Sequence, residues 1–236
     1  MPTKNNHTAV LIFSHTPHQE AKEKSFTQKV NTQTNRTIAS HLVEHTKKLV
    51  AQTPYPSFCI STPDQKGITF GERFTHAIQS VFAKGFSQVI AIGSDCPSLT
   101  SQDIQKSAKA LERGKVVLGP ATDGGTYLIG LQQESFDPEA FKNISWQTSS
   151  VFRELLSLCS SQPQLDIEIL SSKQDIDSAA DLVKVLKSNL IAPYLQKLLA
   201  QLIKFATTSF YPISTFFLLK NLVLSLFGLR APPSFS

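Results

Sequence analysis

Two aspartates carry the clearest chemical promise in this 236-residue chain. In Val89-Ile90-Ala91-Ile92-Gly93-Ser94-Asp95-Cys96-Pro97 a short apolar run ends on Gly-Ser-Asp, and Asp123 opens Asp123-Gly124-Gly125 after Val116-Val117-Leu118-Gly119-Pro120. Each follows a short apolar run of the kind that is buried on both faces of a parallel sheet. Open α/β sheets present ligands beyond the carboxyl ends of their strands. Two carboxylates leaving two neighbouring strands toward one edge would suit a hard divalent cation, because Mg²⁺ combines one or two carboxylates with phosphate oxygens. The competing reading needs no ligand. Asp-Cys-Pro and Asp-Gly-Gly are also ordinary turn sequences, in which Asx side chains and glycine satisfy the bend. Spacing alone leaves both open.

Longer stretches narrow the choice. Gly93-Ser94-Asp95-Cys96-Pro97-Ser98-Leu99-Thr100, with Leu118-Gly119-Pro120-Ala121-Thr122-Asp123-Gly124-Gly125-Thr126-Tyr127-Leu128-Ile129-Gly130-Leu131, resembles a bacterial family of glycosyltransferase-like proteins. That family has the GT-A (nucleotide-diphospho-sugar transferase) fold, and some members are assigned to arsenosugar biosynthesis. More distantly, the chain is similar to phospholactate guanylyltransferase and the molybdenum-cofactor nucleotidyltransferases. The resemblance runs from about Ala9 to Lys187, specific at the centre and weak at the start.

The resemblance implies further site residues. Asp175-Ile176-Asp177-Ser178-Ala179-Ala180-Asp181-Leu182 is similar to the Asp-x-Asp-Thr-Pro-Glu-Asp-Leu segment that closes many nucleotidyltransferase domains, and by position Asp177 would complete a metal site with Asp95. Asp177 or Ser178 is equally a natural helix N-cap. Gln65-Lys66-Gly67-Ile68-Thr69-Phe70-Gly71-Glu72-Arg73 matches a stretch that lies near the bound base in those relatives, so Gly71 and Arg73 become donor-binding candidates. A helix start can hold an anion, although Glu72 and Arg73 could instead only cap and pair. Trp146-Gln147-Thr148 matches a Trp-Ser/Thr-Thr stretch. The chain departs from the family after its first strand, where a Gly and a Lys-Thr-Arg-Leu run are expected. Here Ala21-Lys22-Glu23-Lys24-Ser25-Phe26 offers only Lys22 and Lys24 to phosphates, and lysine lacks the bidentate fork of arginine.

These residues must be held by a scaffold, and the apolar pattern supplies one. Ala9–Phe13 reads as a first buried strand, followed by a loop over Ser14–Lys24 that in nucleotide-binding α/β proteins meets the phosphates or base. A helix over Asn31–Ala51, a strand over Phe58–Ile60 and a helix from about Glu72 to Lys84 precede the Asp95 strand. Thr100-Ser101-Gln102-Asp103 is a capping box opening a helix that runs to about Arg113. Further strands follow over Val116–Leu118, Tyr127–Leu131 and Leu165–Leu170, with a helix ending near Leu158.

Composition sets outer limits. Hydrophobic content of 41% with 17% charged residues fits a globular chain. The net charge of +5 is not a nucleic-acid footprint. Lys197, Lys204, Lys220 and Arg230 lie from Leu190 onward, where there is no acid, so the preceding body is nearly neutral. Cys59, Cys96 and Cys159 are odd in number and widely spaced, unlike a disulfide framework or a zinc site. Cys96 reads as a small buried filler. The polar N-terminus and the short run after it do not form a signal peptide, and a cytoplasmic location is expected. The tail differs in kind. Lys197, Gln201, Lys204 and Thr208 form a narrow polar stripe on an apolar helix, and a second such helix reads over about Ile213–Leu229. Lys220 opposes membrane insertion. Packing on the body, on a second copy or on an anionic membrane surface fits better.

The expected architecture is an α/β fold, a GT-A/Rossmann-like three-layer sandwich with a mostly parallel sheet over residues 7–189. A helical hydrophobic appendage follows over 190–236. The expected function is metal-dependent transfer from an activated nucleotide donor to a small-molecule acceptor. The donor would be a nucleotide sugar, or alternatively a nucleoside triphosphate, with Mg²⁺ or Mn²⁺ on Asp95 and Asp177. Asp95 and Asp123 are the catalytic candidates, and Lys22, Lys24, Gly71, Arg73, Gly124 and Gly125 the donor-binding ones. A non-catalytic relative that keeps the fold is the rival from another class.

Overall fold

The computed structural model describes residues 7–27, 32–188 and 190–208. Six strands form one sheet: β1 (Thr8–Ser14), β2 (Ser57–Ser61), β3 (Gln88–Ile92), β4 (Val116–Pro120), β5 (Thr126–Gln132) and β6 (Ile167–Ile169). Their spatial order is β2-β1-β3-β5-β4-β6. Only β5 runs antiparallel, pairing with β3 on one side and β4 on the other. The remaining pairs, β1 with β2, β1 with β3 and β4 with β6, are parallel. The strands that lead to Asp95 and Asp123 are therefore not neighbours, contrary to the reading from their succession in the sequence. The tight Asp123-Gly124-Gly125 turn returns the chain as β5 between them.

Alternation along the strands builds three layers. Ala9, Leu11 and Phe13 of β1, with Val89 and Ala91 of β3, face a core closed by helices α3 (Phe70–Phe82), α5 (Pro138–Lys142) and α6 (Val151–Ser160). Val10, Ile12, Ile90 and Ile92 face the opposite core, under α4 (Ser101–Glu112) and the end of α2 (Thr32–Val50). Both faces of each central strand are buried, which explains why these runs are continuously apolar.

The stretch after β1 differs from the expected loop. Pro17–Glu23 forms a short helix, α1, with Thr16 as its N-cap accepting from the Gln19 amide and Pro17 in the first turn. Proline suits that position because its missing N–H is not needed there. Lys24 then falls at the C-cap.

A third apolar cluster joins α2, α7 (Ala179–Lys187) and α8 (Pro193–Thr208). Leu195, Leu199, Ala200 and Ile203 of α8 are buried with Ile38, Leu42, Leu182 and Leu186, while Lys197, Gln201 and Lys204 remain exposed. Lys197, Gln201 and Lys204 of the polar stripe read from the sequence thus face water, and the helix carrying them lies on the body. The second tail helix, read over 213–229, lies outside the described residues. Among the described residues no helix is long and apolar enough to cross a membrane.

Candidate functional site

A cleft of about 580 Å³ opens beyond the carboxyl ends of β1 and β3. One part of its lining is charged: Glu20, Glu23, Lys24, Asp95, Asp123, Asp175 and Asp177. Another is aromatic: Phe13, Phe70, Phe74 and Trp146.

The charged part is assembled by backbone ties between distant segments. The Ile176 amide donates to the Asp95 carbonyl at 2.9 Å, and Ser25 forms a parallel bridge with Ser178. These ties bring Lys24 after α1, Asp95 in the turn after β3 and the Asp175–Asp177 segment to one place. There the Lys24 ammonium donates to Asp95 Oδ2 at 2.6 Å, to Asp177 Oδ1 at 2.7 Å and to Glu20 Oε1 at 2.9 Å. Burial opposes charge on Lys24, but Asp95, Glu20 and Asp177 together outweigh it and raise its pKa well above the ordinary lysine value. Burial likewise pushes Asp95 upward, and the Lys24 ammonium overcomes this and holds its carboxyl below the usual range. Glu20 goes the other way. Burial dominates and raises it, with Asp95 adding to the effect against Lys24.

Asp175 sits deeper. It is buried, its Oδ1 has no hydrogen-bond partner, and burial, reinforced by Asp95, pushes its pKa up to about 8. The neighbouring Cys96 thiol is also buried and raised well above its usual value, first by burial and then by Asp175. That is the opposite of an activated thiolate.

The structure brings Lys24, Asp95, Asp123, Gly125 and Asp177 to the cleft and leaves Lys22, Gly71, Arg73 and Gly124 out of its lining. Asp123 is exposed and accepts from the Gly125 amide at 2.8 Å, so it forms an Asx turn while facing the cleft. Ser178, not Asp177, caps α7, which leaves the Asp177 carboxylate to Lys24. Lys22 is exposed. Gly71 is buried where a Cβ would lie 2.2 Å from the Lys142 carbonyl oxygen, so its role there is close packing of α3 on α5. The start of α3 is satisfied internally by the Thr69–Glu72 capping box, and Arg73 donates to the Ile68 carbonyl at 2.6 Å. Trp146 packs against Phe70, Phe74 and Phe141 and donates its indole N–H to the Phe141 carbonyl at 2.9 Å. Sequence reasoning missed Glu20 and Asp175. Glu20 lies four residues before Lys24 on α1, a spacing that invites an ion pair. Asp175 lies two residues before Asp177 in the quoted acidic segment.

The donor chemistry fits a hard divalent cation. Asp95 and Asp177 aim carboxylate oxygens at one point, now taken by an ammonium, and phosphate oxygens from a donor would complete the shell. Among the described residues no three His, Cys, Asp or Glu side chains form a cation cluster unaided. Any ion here would be shared between two carboxylates and a ligand.

These features define an α/β fold with an acidic cleft at its strand ends. The same fold appears in a protein from Desulfovibrio desulfuricans G20 provisionally named a nucleotide-diphospho-sugar transferase. It is 24% identical with a TM-score of 0.71, over 93% of this chain and 98% of that one. Further off are the Rv0371c homologue of Mycobacterium sp. strain JC1 (9% identity, TM-score 0.45, 85% and 98% covered) and the Mycobacterium tuberculosis Rv0371c manganese complex (8%, 0.42, 77% and 98%). No curated protein matches. The chain belongs to the family described as uncharacterized protein conserved in bacteria (DUF2064), matched over residues 28–148. The arsenosugar and phospholactate branches are not reached by these comparisons.

Proposed function

We infer that this protein is a divalent-cation-dependent transferase acting on an activated nucleotide donor, with a glycosyl group as the group moved. The observation that carries this reading is the convergence of Asp95 and Asp177 on one point at the strand ends, within a cleft whose carboxylates outnumber its cations. A diphosphate entering such a cleft meets net negative charge, so binding requires a cation to reverse the local sign. That cation, Mg²⁺ or Mn²⁺, supplies Lewis-acid stabilisation of charge on the departing diphosphate. Asp95 and Asp177 hold it, Lys24 pairs with the phosphates, and Asp123 orients a small-molecule acceptor at the cleft mouth. The aromatic part of the cleft gives the donor or acceptor an apolar, stackable wall.

Nucleotidyl transfer from a triphosphate would use the same cation and carboxylates. The engagement of Lys24 by Asp95 and Asp177 favours a third reading, a relative that keeps the fold without catalysis. Thermal shift with Mn²⁺ and a panel of nucleotide sugars and triphosphates separates the three, since a ligand that binds only the folded state raises the melting temperature. Stabilisation by a nucleotide sugar that requires Mn²⁺ is the expected result. Stabilisation by triphosphates alone indicates nucleotidyl transfer, and a flat panel overturns the transferase reading.

A further inference from the structure

Lys24 holds a position no ordinary donor-binding lysine would choose. Its ammonium is shared by three carboxylates from three separated segments, Glu20 at 2.9 Å, Asp95 at 2.6 Å and Asp177 at 2.7 Å, and its side chain is only 17% exposed. Placement of the ammonium is fixed by the fold: Lys24 follows α1 directly, and the Ser25–Ser178 bridge sets it beside Asp177. A second, independent feature marks the same pocket as short of a polar partner. Asp175, which lines the cleft and is only 9% exposed, has an oxygen with no hydrogen-bond partner. Buried polar atoms are ordinarily satisfied, so an orphan carboxylate oxygen signals a missing partner.

We propose that Lys24 is the protein's own counter-ion for Asp95 and Asp177, and that a divalent cation loads this site only by displacing it. This rests on the cation-dependent reading above and deepens it. Both cations require the same carboxylate oxygens, Mg²⁺ at ~2.1 Å and the ammonium at hydrogen-bond distance, and two positive charges do not share one point. A lysine is suited to leaving because its charge is a compact head on a flexible four-carbon stem. Once displaced, the ammonium is free for a donor phosphate. Cation and diphosphate therefore bind cooperatively: each removes a penalty that the other would face alone. In the free protein the cation binds weakly, because Lys24 already occupies the oxygens it needs.

The test uses the full chain and the metal alone. Mn²⁺ affinity is measured by electron paramagnetic resonance on wild type, Lys24→Met and, as a control for lost charge, Lys22→Met, without nucleotide. Lys24→Met should tighten Mn²⁺ binding by about tenfold or more, whereas Lys22→Met should change it by less than about twofold. On the wild type, acetylation of Lys24 by an amine-reactive ester is followed by peptide mass spectrometry, with Lys22 as the internal reference. Labelling of Lys24 should rise with Mg²⁺ and saturate along the binding curve. A Lys24→Met affinity within about twofold of wild type overturns the proposal, and so does Lys24 labelling that stays flat while Mg²⁺ saturates. If wild type binds no cation, gain of binding in Lys24→Met supports the displacement and its absence overturns it. If the variant fails to fold, the labelling decides. A flat nucleotide panel would defeat the transferase reading without touching either measurement.

Discussion

Gly124 lies so close to Ser149 that a Cβ on the glycine would stand 2.1 Å from the Ser149 carbonyl oxygen. Its φ of +93° is also one that L side chains rarely adopt. The contact joins the Asp123 turn to the Trp146–Ser150 segment, and the Gly124 carbonyl accepts from the Phe152 amide at 3.0 Å. Gln147, with φ of 63°, is the one non-glycine residue in the left-handed region among the described residues, and it lies in that same segment. Gly124→Ala should therefore destabilise the fold by ~1–3 kcal/mol in denaturant melts and disturb the cleft rim. A neutral effect would show that the two segments separate without cost.

Asp95 and Asp177 differ in how much each has at stake. Asp95→Asn removes the negative charge from the shorter Lys24 contact at a half-buried position, so Mn²⁺ binding should be lost and stability lowered by ~1–3 kcal/mol. Asp177 is more exposed, and Ser178 already caps α7. Asp177→Asn should weaken Mn²⁺ binding less than Asp95→Asn and shift stability by under ~0.5 kcal/mol. Calorimetric titration beside urea melts reads both quantities. Equal Mn²⁺ losses in the two variants would contradict the ranking.

Asp175 should give the stability curve a pH slope. Its folded pKa, about 8, is raised by burial first and by Asp95 next, Asp123 adding while Cys96 and Lys24 oppose. A raised pKa means that the native state holds a proton the unfolded chain has released. Its contribution is complete below the unfolded value near 4 and is lost as pH rises toward 8. Stability in chelator-containing buffer should fall by up to ~1.4 kcal/mol per pH unit across this window. Asp175→Asn should flatten the slope and be the more stable protein at pH 8. A wild-type curve already flat between pH 5 and 8 would argue against a protonated Asp175.

The strands and the Asp95 position were legible because runs such as Val89–Ile92 are buried on both faces, a pattern that survives without knowledge of tertiary context. The capping box at Thr100–Asp103 was legible for a similar reason, being wholly local. Helix α1 was hidden by its polar surface, since only Glu20 and Ala21 of its residues are buried. Thr16-Pro17 was its readable signal. The insertion of β5 between β3 and β4 was not readable, because a tight turn fixes only that β4 and β5 pair, not which outer strand each then meets. Glu20 and Asp175 became site residues through ties such as Ile176 to Asp95, which no spacing encodes.

Arg73 separates two accounts of the loop before α3. Its guanidinium already bonds the Ile68 carbonyl, and Glu72 takes the Ile68 and Thr69 amides at 2.7 and 3.1 Å. With those groups engaged, Arg73→Ala should change nucleotide-sugar affinity by less than about twofold, because a residue outside the cleft makes no phosphate contact to lose. A loss of tenfold or more, ~1.4 kcal/mol, would return the loop to the donor site.

The C-terminal region holds the most direct test of what completes the body. Leu195, Leu199, Ala200 and Ile203 are buried against α2 and α7, and Tyr194 adds a 2.6 Å hydrogen bond between its hydroxyl and His45 Nδ1. Burying each large side chain is worth ~1.5–3 kcal/mol, so removing α8 would uncover a cluster comparable to the whole margin of a typical domain. Deleting 190–236 should therefore give a protein that aggregates or melts far below wild type. Deleting only 209–236 should leave a folded, cation-binding body, because α8 is kept. The shorter deletion also isolates what the apolar, acid-free sequence beyond it does. Full-length protein should self-associate in sedimentation or bind anionic vesicles, and the 209–236 deletion should do neither. If full-length protein is monomeric and ignores vesicles, the expected interaction role is lost. A cooperative, near-wild-type melt for the 190–236 deletion would show instead that α8 is dispensable to the core.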